Sequence, residues 1–188
     1  MRRRARRTDD NLPTPVDHFD DVVDRAWGRV LRGRPGADRT FYLASELGDF
    51  SLIWQMAGAA QGLRSDRDAN ATARLAMVLL VESAVVNQGL KRLVRRPRPQ
   101  PVEPRPHELR KPLTSSFPSG HASAAFTAAG ILGHHDPALR PLYYALAAVV
   151  ATSRVHVQVH HASDVIAGAA LGAVFARITT RVWPLPRH

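Results

Sequence analysis

The chain has 188 residues, room for one domain with a sizeable core. It contains no cysteine, which excludes disulfides, cysteine-held zinc and thiol catalysis. Its 26 Lys and Arg against 16 Asp and Glu leave a formal charge of +10, and a chain this basic points to a polyanionic partner: nucleic acid, a phosphate-bearing substrate or an anionic membrane.

Arg2, Arg3, Arg4, Arg6 and Arg7 form a basic tail that can touch anionic lipid. No apolar run follows them, so this is not the pattern of a secretory signal. Pro13 and Pro15 break the chain. Over residues 16–32, Val16, Phe19, Val22, Val23, Ala26, Trp27, Val30 and Leu31 recur at helical spacing, with Asp and Arg opposite. That predicts an amphipathic helix, too charged to span a bilayer, that lies in the membrane interface or packs on the rest. Residues 1–38 are accordingly read as tail and amphipathic helix, and residues 39–188 as the main domain.

Five apolar segments follow: 41–63, 72–90, 119–133, 139–153 and 164–183. A spanning helix needs about 20 mostly apolar residues. The second and fifth meet that, the fourth nearly, the first and third weakly. The mean hydropathy of −0.20 is diluted by the polar stretches 1–39 and 91–118. Gly168 and Gly172 make a G-x-x-x-G pair, and Gly120, Ala124 and Ala128 are small residues on the third segment. Such residues let helices approach closely in lipid. No strand-period alternation persists, and no internal repeat is present. The expectation is an all-α transmembrane bundle of about five membrane segments. Residues 93–118 carry seven prolines and cannot be a helix. This loop region also holds dense positive charge: Lys91, Arg92, Arg95, Arg96, Arg98, Arg105, Arg110 and Lys111.

Three clusters sit at segment edges: Lys91 with Arg98-Pro99, then Pro118-Ser119-Gly120-His121, then Ser153-Arg154 with His160 and Asp164. In an antiparallel bundle these edges share one side. A phosphate ester needs cations, N–H donors, a nucleophile and an acid. Lys91, Arg98 and Arg154 supply the cations, and an arginine fork suits phosphate oxygens. Ser119 and Gly120 stand where a helix begins, a natural anion site. Two histidines on separate elements can divide nucleophile and acid roles. Asp164 is one turn from His160, so it can orient the ring and leave the other nitrogen free to attack. His156 misses this spacing and reads as structural. The basic cluster lacks the interleaved aromatics that stack bases, which argues against nucleic acid.

Together the clusters resemble the signature of the type 2 phosphatidic acid phosphatase (PAP2) superfamily, K-x6-R-P, P-S-G-H and S-R-x5-H-x3-D. That superfamily also contains bacterial acid phosphatases and vanadium haloperoxidases. The resemblance covers about residues 41–183 and matches every fixed position. His161-Ala162-Ser163 departs from the aromatic residue and proline often found there, without touching a fixed position. The resemblance implies a helical-bundle fold and phosphate-ester hydrolysis through a phosphohistidine, with no metal and no other cofactor. Lys91, Arg98, Ser119, Gly120 and Arg154 would hold the phosphate, His121 would protonate the leaving oxygen, His160 would attack and Asp164 would orient it. The implied substrates are lipid phosphates: phosphatidic acid, phosphatidylglycerophosphate, a polyprenyl (di)phosphate or decaprenyl-phosphoryl phosphoribose. The competing reading is a soluble acid phosphatase or vanadate-dependent haloperoxidase on the same fold. By the positive-inside rule the arginine tail stays in the cytoplasm, and an even number of crossings brings the active site to the cytoplasmic face of the plasma membrane. Oligomeric state leaves no trace in the sequence.

Overall fold

The computed structural model describes residues 14–101, 109 and 114–184. The arginine tail lies outside these residues, as do Arg105, Arg110 and Lys111 of the basic loop. All regular elements among the described residues are helical.

Helix α1 (Pro15–Leu31) starts at a capping box: Asp17 N–H donates to Thr14 Oγ1 at 3.2 Å, and Thr14 N–H to Asp17 Oδ2 at 3.0 Å. Asp17 is held below the usual carboxylate range, chiefly by the Thr14 backbone N–H. One face of α1 packs Val23 and Trp27 onto a cluster of Ala122, Ala151, Val155, Ala162 and Val165. Its outer face still shows Val16, Phe19, Val22 and Val30.

The expected segment 41–63 is not one helix. α2 (Pro35–Leu47) ends, a single 3-10 turn (Asp49–Ser51) follows, and α3 (Leu52–Gly62) begins. Phe50 and Ser51 take left-handed φ angles of 53° and 58°, which no continuous helix tolerates. α3 and α4 (Asp66–Ser83) form a hairpin, and Ser65 caps α4 by accepting from Asp68 N–H at 3.2 Å. α4 continues through a π-helical stretch (Ala84–Leu90) into a last turn, α5 (Lys91–Leu93). Single π insertions recur at functional sites.

α6 (Gly120–His135) is the central helix, packed by α8 (Ala162–Val182), α7 (Arg140–His156) and α4. The G-x-x-x-G pair sits at the α6–α8 contact. A Cβ on Gly168 would collide with the Ser119 carbonyl oxygen, and one on Gly172 with that of Ser123. Backbone meets backbone there, which only glycine allows.

Two helices among the described residues are long and apolar enough to cross a membrane, Asp66–Leu93 and Ala162–Val182. Their outward faces are apolar, with Met77, Leu80 and Val81 on the first and Ile166, Val174 and Ile178 on the second. α6 and α7 have 16 and 17 residues, short of the roughly 20 a span requires, and the 41–63 segment is broken. By length and composition only these two among the described residues qualify, and the count of about five membrane segments is not confirmed.

Candidate active site

α4 and α5 end, α6 begins, and the α7–α8 loop turns, all at one end of the bundle. A cavity of about 360 Å³ opens there. Lys91, Gly120, His121, Arg154 and His160 line it, five of the eight residues singled out from sequence. Arg98, Ser119 and Asp164 stand behind this lining.

His160 lies in the loop after α7. The N–H groups of Val159 and His160 both donate to the Arg154 carbonyl, at 3.1 and 3.2 Å, which folds the loop back on the helix end. His160 Nε2 is 3.2 Å from Arg98 Nη1, and Nδ1 is 3.7 Å from Asp164 Oδ2. Arg98 is fixed by the Val159 carbonyl at 2.8 Å and by those of Thr114 and Ser115 at 3.2 Å each. Burial pushes the His160 imidazole down to about 3; Asp164 pulls the other way, while Arg154, Arg98 and Lys91 add to the fall. The ring is therefore neutral at physiological pH, the form that carries a free lone pair.

Ser119 caps α6 by accepting from Ala122 N–H at 3.4 Å, and its own N–H donates to the Asp164 carbonyl at 3.0 Å. A Cβ on Gly120 would lie 3.1 Å from Asn87 Oδ1 and 3.6 Å from Lys91 Nζ, so the lysine head stands over the helix start. Arg154 is buried and donates to Ser45 Oγ. His121 Nε2 is 3.0 Å from Asp49 Oδ1, and a Cβ on Gly48 would stand 2.7 Å from His121 Cδ2. The break between α2 and α3 is thus what seats this histidine. The other two histidines of interest point elsewhere. His156 accepts from Trp27 Nε1 at 3.1 Å, meets Asp38 at 2.9 Å and stacks on Phe41, while His161 Nε2 faces the Pro97 carbonyl at 3.3 Å.

Sequence reasoning missed the support of Asp164. Its Oδ1 accepts from Arg96 Nη1 at 2.6 Å, and its Oδ2 from Ser116 Oγ and, at 2.9 Å, from His161 N–H. Arg96 reaches on to Asp20 of α1 at 2.7 Å. Asp20 in turn accepts from Ser163 N–H at 2.8 Å and Ser163 Oγ at 2.7 Å, capping α8. Burial opposes the Arg96 charge, but Asp20 and Asp164 together hold its guanidinium above the ordinary value. Asp20 was legible only as an acidic residue on the polar face of the first helix, Asp49 only as an acidic residue inside an apolar segment, and Arg96 only as one arginine of a basic run. Replacing Arg96 with Met strands two buried carboxylates, and loss of such a shared partner costs about 3–5 kcal/mol. Thermal unfolding in detergent should show that loss, with part of it recovered when Asp20→Asn is added.

Residues 71–187 match the model of the PAP2 superfamily. Over 159 residues the chain is 34% identical to the decaprenylphosphoryl-5-phosphoribose phosphatase of Mycobacterium tuberculosis, covering 81% of this chain and 84% of that one. Its fold is similar to the crystal structure of a transmembrane PAP2 type phosphatidylglycerolphosphate phosphatase from Bacillus subtilis. The TM-score is 0.66 and the identity 26%, over 89% of this chain and 85% of that one. LpxE of Aquifex aeolicus shares the fold, with a TM-score of 0.65 at 24% identity over 84% of this chain and 93% of that one. The chain belongs to the PAP2 superfamily, in its membrane lipid-phosphatase branch. It is a phosphoric monoester hydrolase.

Proposed function

We propose that this protein is a multi-pass membrane enzyme that releases phosphate from a lipid phosphate through a phosphohistidine on His160, without a metal ion. The observation that carries the reading is the setting of His160: neutral, with one ring nitrogen toward Asp164 and the other 3.2 Å from the Arg98 guanidinium. Lys91, Arg98 and Arg154, with the start of α6 at Ser119 and Gly120, gather the phosphoryl oxygens and stabilise their charge as the P–O bond stretches. His160 Nε2 forms a bond to phosphorus while the bond to the leaving oxygen breaks, and His121, acting as the imidazolium that Asp49 favours against the effect of burial, gives that oxygen its proton. Asp164 draws close to Nδ1 as the ring gains charge. Water then attacks phosphorus, His121 takes its proton, and the N–P bond breaks to release phosphate. The domain that does this is residues 39–188, with α1 as a strap across its active end.

The relative named as a decaprenylphosphoryl-5-phosphoribose phosphatase favours a polyprenyl-linked phosphoribose among the lipid phosphates. The test is phosphate release in detergent from that lipid, phosphatidic acid, phosphatidylglycerophosphate and farnesyl diphosphate, each with and without EDTA. Release that survives EDTA is expected, because three basic side chains already neutralise a phosphate dianion. Loss restored by added Mg²⁺ would overturn the metal-independent scheme.

The active end is assigned to the cytoplasmic face of the plasma membrane. α1 is tied to that end by the Asp20–Ser163 and Trp27–His156 hydrogen bonds. α3 leads away from it and α4 returns, so Thr14, the first described residue, lies on the same side as the site. This holds whether or not α3 crosses fully. The positive-inside rule then puts both in the cytoplasm. A single cysteine at exposed Gln100 should stay unlabelled by an impermeant maleimide outside intact cells and react after lysis. Labelling of intact cells would reverse the assignment.

A further inference from the structure

Toward the active end, Ala151 and Val155 of α7 join Ala162 and Val165 of α8 in one apolar cluster. At the other end the two helices part, and a second cavity, of about 460 Å³, opens between them over α6. Its make-up changes along the bundle axis. At the outer end stand Arg140 of α7, His134 of α6 and Arg177 of α8. One turn inward the lining is Gly130, Ala173 and Val174.

Arg140 and Arg177 are exposed and form no ion pair among the described residues. Asp136, the acid at the end of α6, is taken by Arg64 at 3.3 Å. A helix dipole does not account for Arg140, which opens α7, where the dipole disfavours a cation. Its stem packs on Gly133, where an added Cβ would stand 2.8 Å from Arg140 Cγ, and its guanidinium lies 5.9 Å from the centre of the Tyr144 ring. An added Cβ on Gly130 would stand 3.4 Å from Tyr144 Oη, so this hydroxyl reaches the cavity floor.

Two unpaired guanidiniums and a phenol at one end, with a small apolar furrow at the other, match an amphiphile. Its anionic head would accept from the arginine forks, and its hydrocarbon would fill the furrow. The setting agrees. α8 is one of the two helices long and apolar enough to span a bilayer, and Trp183 marks its end, as tryptophan does at headgroup level. Val174 and Ile178 beside the cavity face outward, so it opens to lipid.

We propose that this cavity binds one anionic membrane phospholipid in the leaflet opposite the active site. The headgroup phosphate lies on Arg140 and Arg177, and an acyl chain runs along Ala173 and Val174. A free inorganic anion would leave the apolar half uncovered, and a zwitterionic lipid would bring its own cation to the arginines. The site is separate from the catalytic one and does not depend on the chemistry proposed there.

The test is native mass spectrometry of the full chain in dodecyl maltoside, with equimolar dioleoyl phosphatidylglycerol and dioleoyl phosphatidylcholine added. Phosphatidylglycerol has no phosphomonoester, so the active site does not consume it. Each basic side chain near an anionic lipid is worth about fivefold in binding. Wild type should therefore retain one phosphatidylglycerol with a preference of about 25-fold over phosphatidylcholine. The double variant Arg140→Gln, Arg177→Gln should bring the two lipids to about parity. Both side chains are exposed, so its melting temperature without lipid should stay close to that of wild type. A wild-type preference under about threefold would overturn the proposal, a result that needs no variant. So would a preference that the double variant keeps in full, which would seat the lipid elsewhere. Displacement of the lipid by millimolar inorganic phosphate would define a free-anion site and overturn it as well.

Discussion

His160→Ala is expected to lower phosphate release by a factor of about 10⁴ to 10⁶, the scale on which enzymes lose rate when a covalent nucleophile is removed. Alanine leaves the loop anchored, because the backbone N–H groups that bind the Arg154 carbonyl are retained. It also relieves a buried imidazole, so the variant should unfold at or above the wild-type temperature. The decisive measurement is acid-labile, alkali-stable labelling by a ³²P-lipid in a rapid quench. Wild type should carry the label and the variant should not. Turnover near that of wild type would remove His160 from the mechanism and leave His161 as the only other histidine of that loop to consider.

His121→Ala should behave differently. An acid matters in proportion to the basicity of the leaving oxygen, so alkyl phosphates should lose about 10² to 10⁴ in kcat. An aryl phosphate such as p-nitrophenyl phosphate, whose leaving oxygen needs no proton, should lose about tenfold or less. Equal losses on the two substrates would assign His121 to binding. Asp49→Asn provides the companion measurement. With Asp49 Oδ1 3.0 Å from His121 Nε2, the amide should move the basic limb of the alkyl-phosphate pH profile and leave aryl turnover little changed.

Much of the architecture was legible because its causes are local. The apolar run after Ser119 starts a helix where that cap requires it. Three motif clusters at segment edges could be assigned to one end of a bundle from segment count alone. The first segment was misread for a physical reason. Hydropathy sums residues 41–63 and is blind to the left-handed pair Phe50–Ser51, which splits α2 from α3 and brings Asp49 to His121. α6, which reads from sequence as a weak membrane segment, is the walled-in centre of the bundle.

The sequence by itself determined the family and the helical class, and it named the residues proposed to gather and attack a phosphate. Those properties reside in residue type and spacing, which folding does not alter. Tertiary structure alone decided the partners. Arg96 is one of several arginines in a basic run until α1 delivers Asp20 and α8 delivers Asp164 to its two sides. Glu82 is an acidic residue in an apolar helix until α6 encloses it and brings the Ser123 hydroxyl to it. Such pairings join residues tens of positions apart. Their energies depend on burial and on distances of a few ångströms, and neither is encoded in any local stretch of chain.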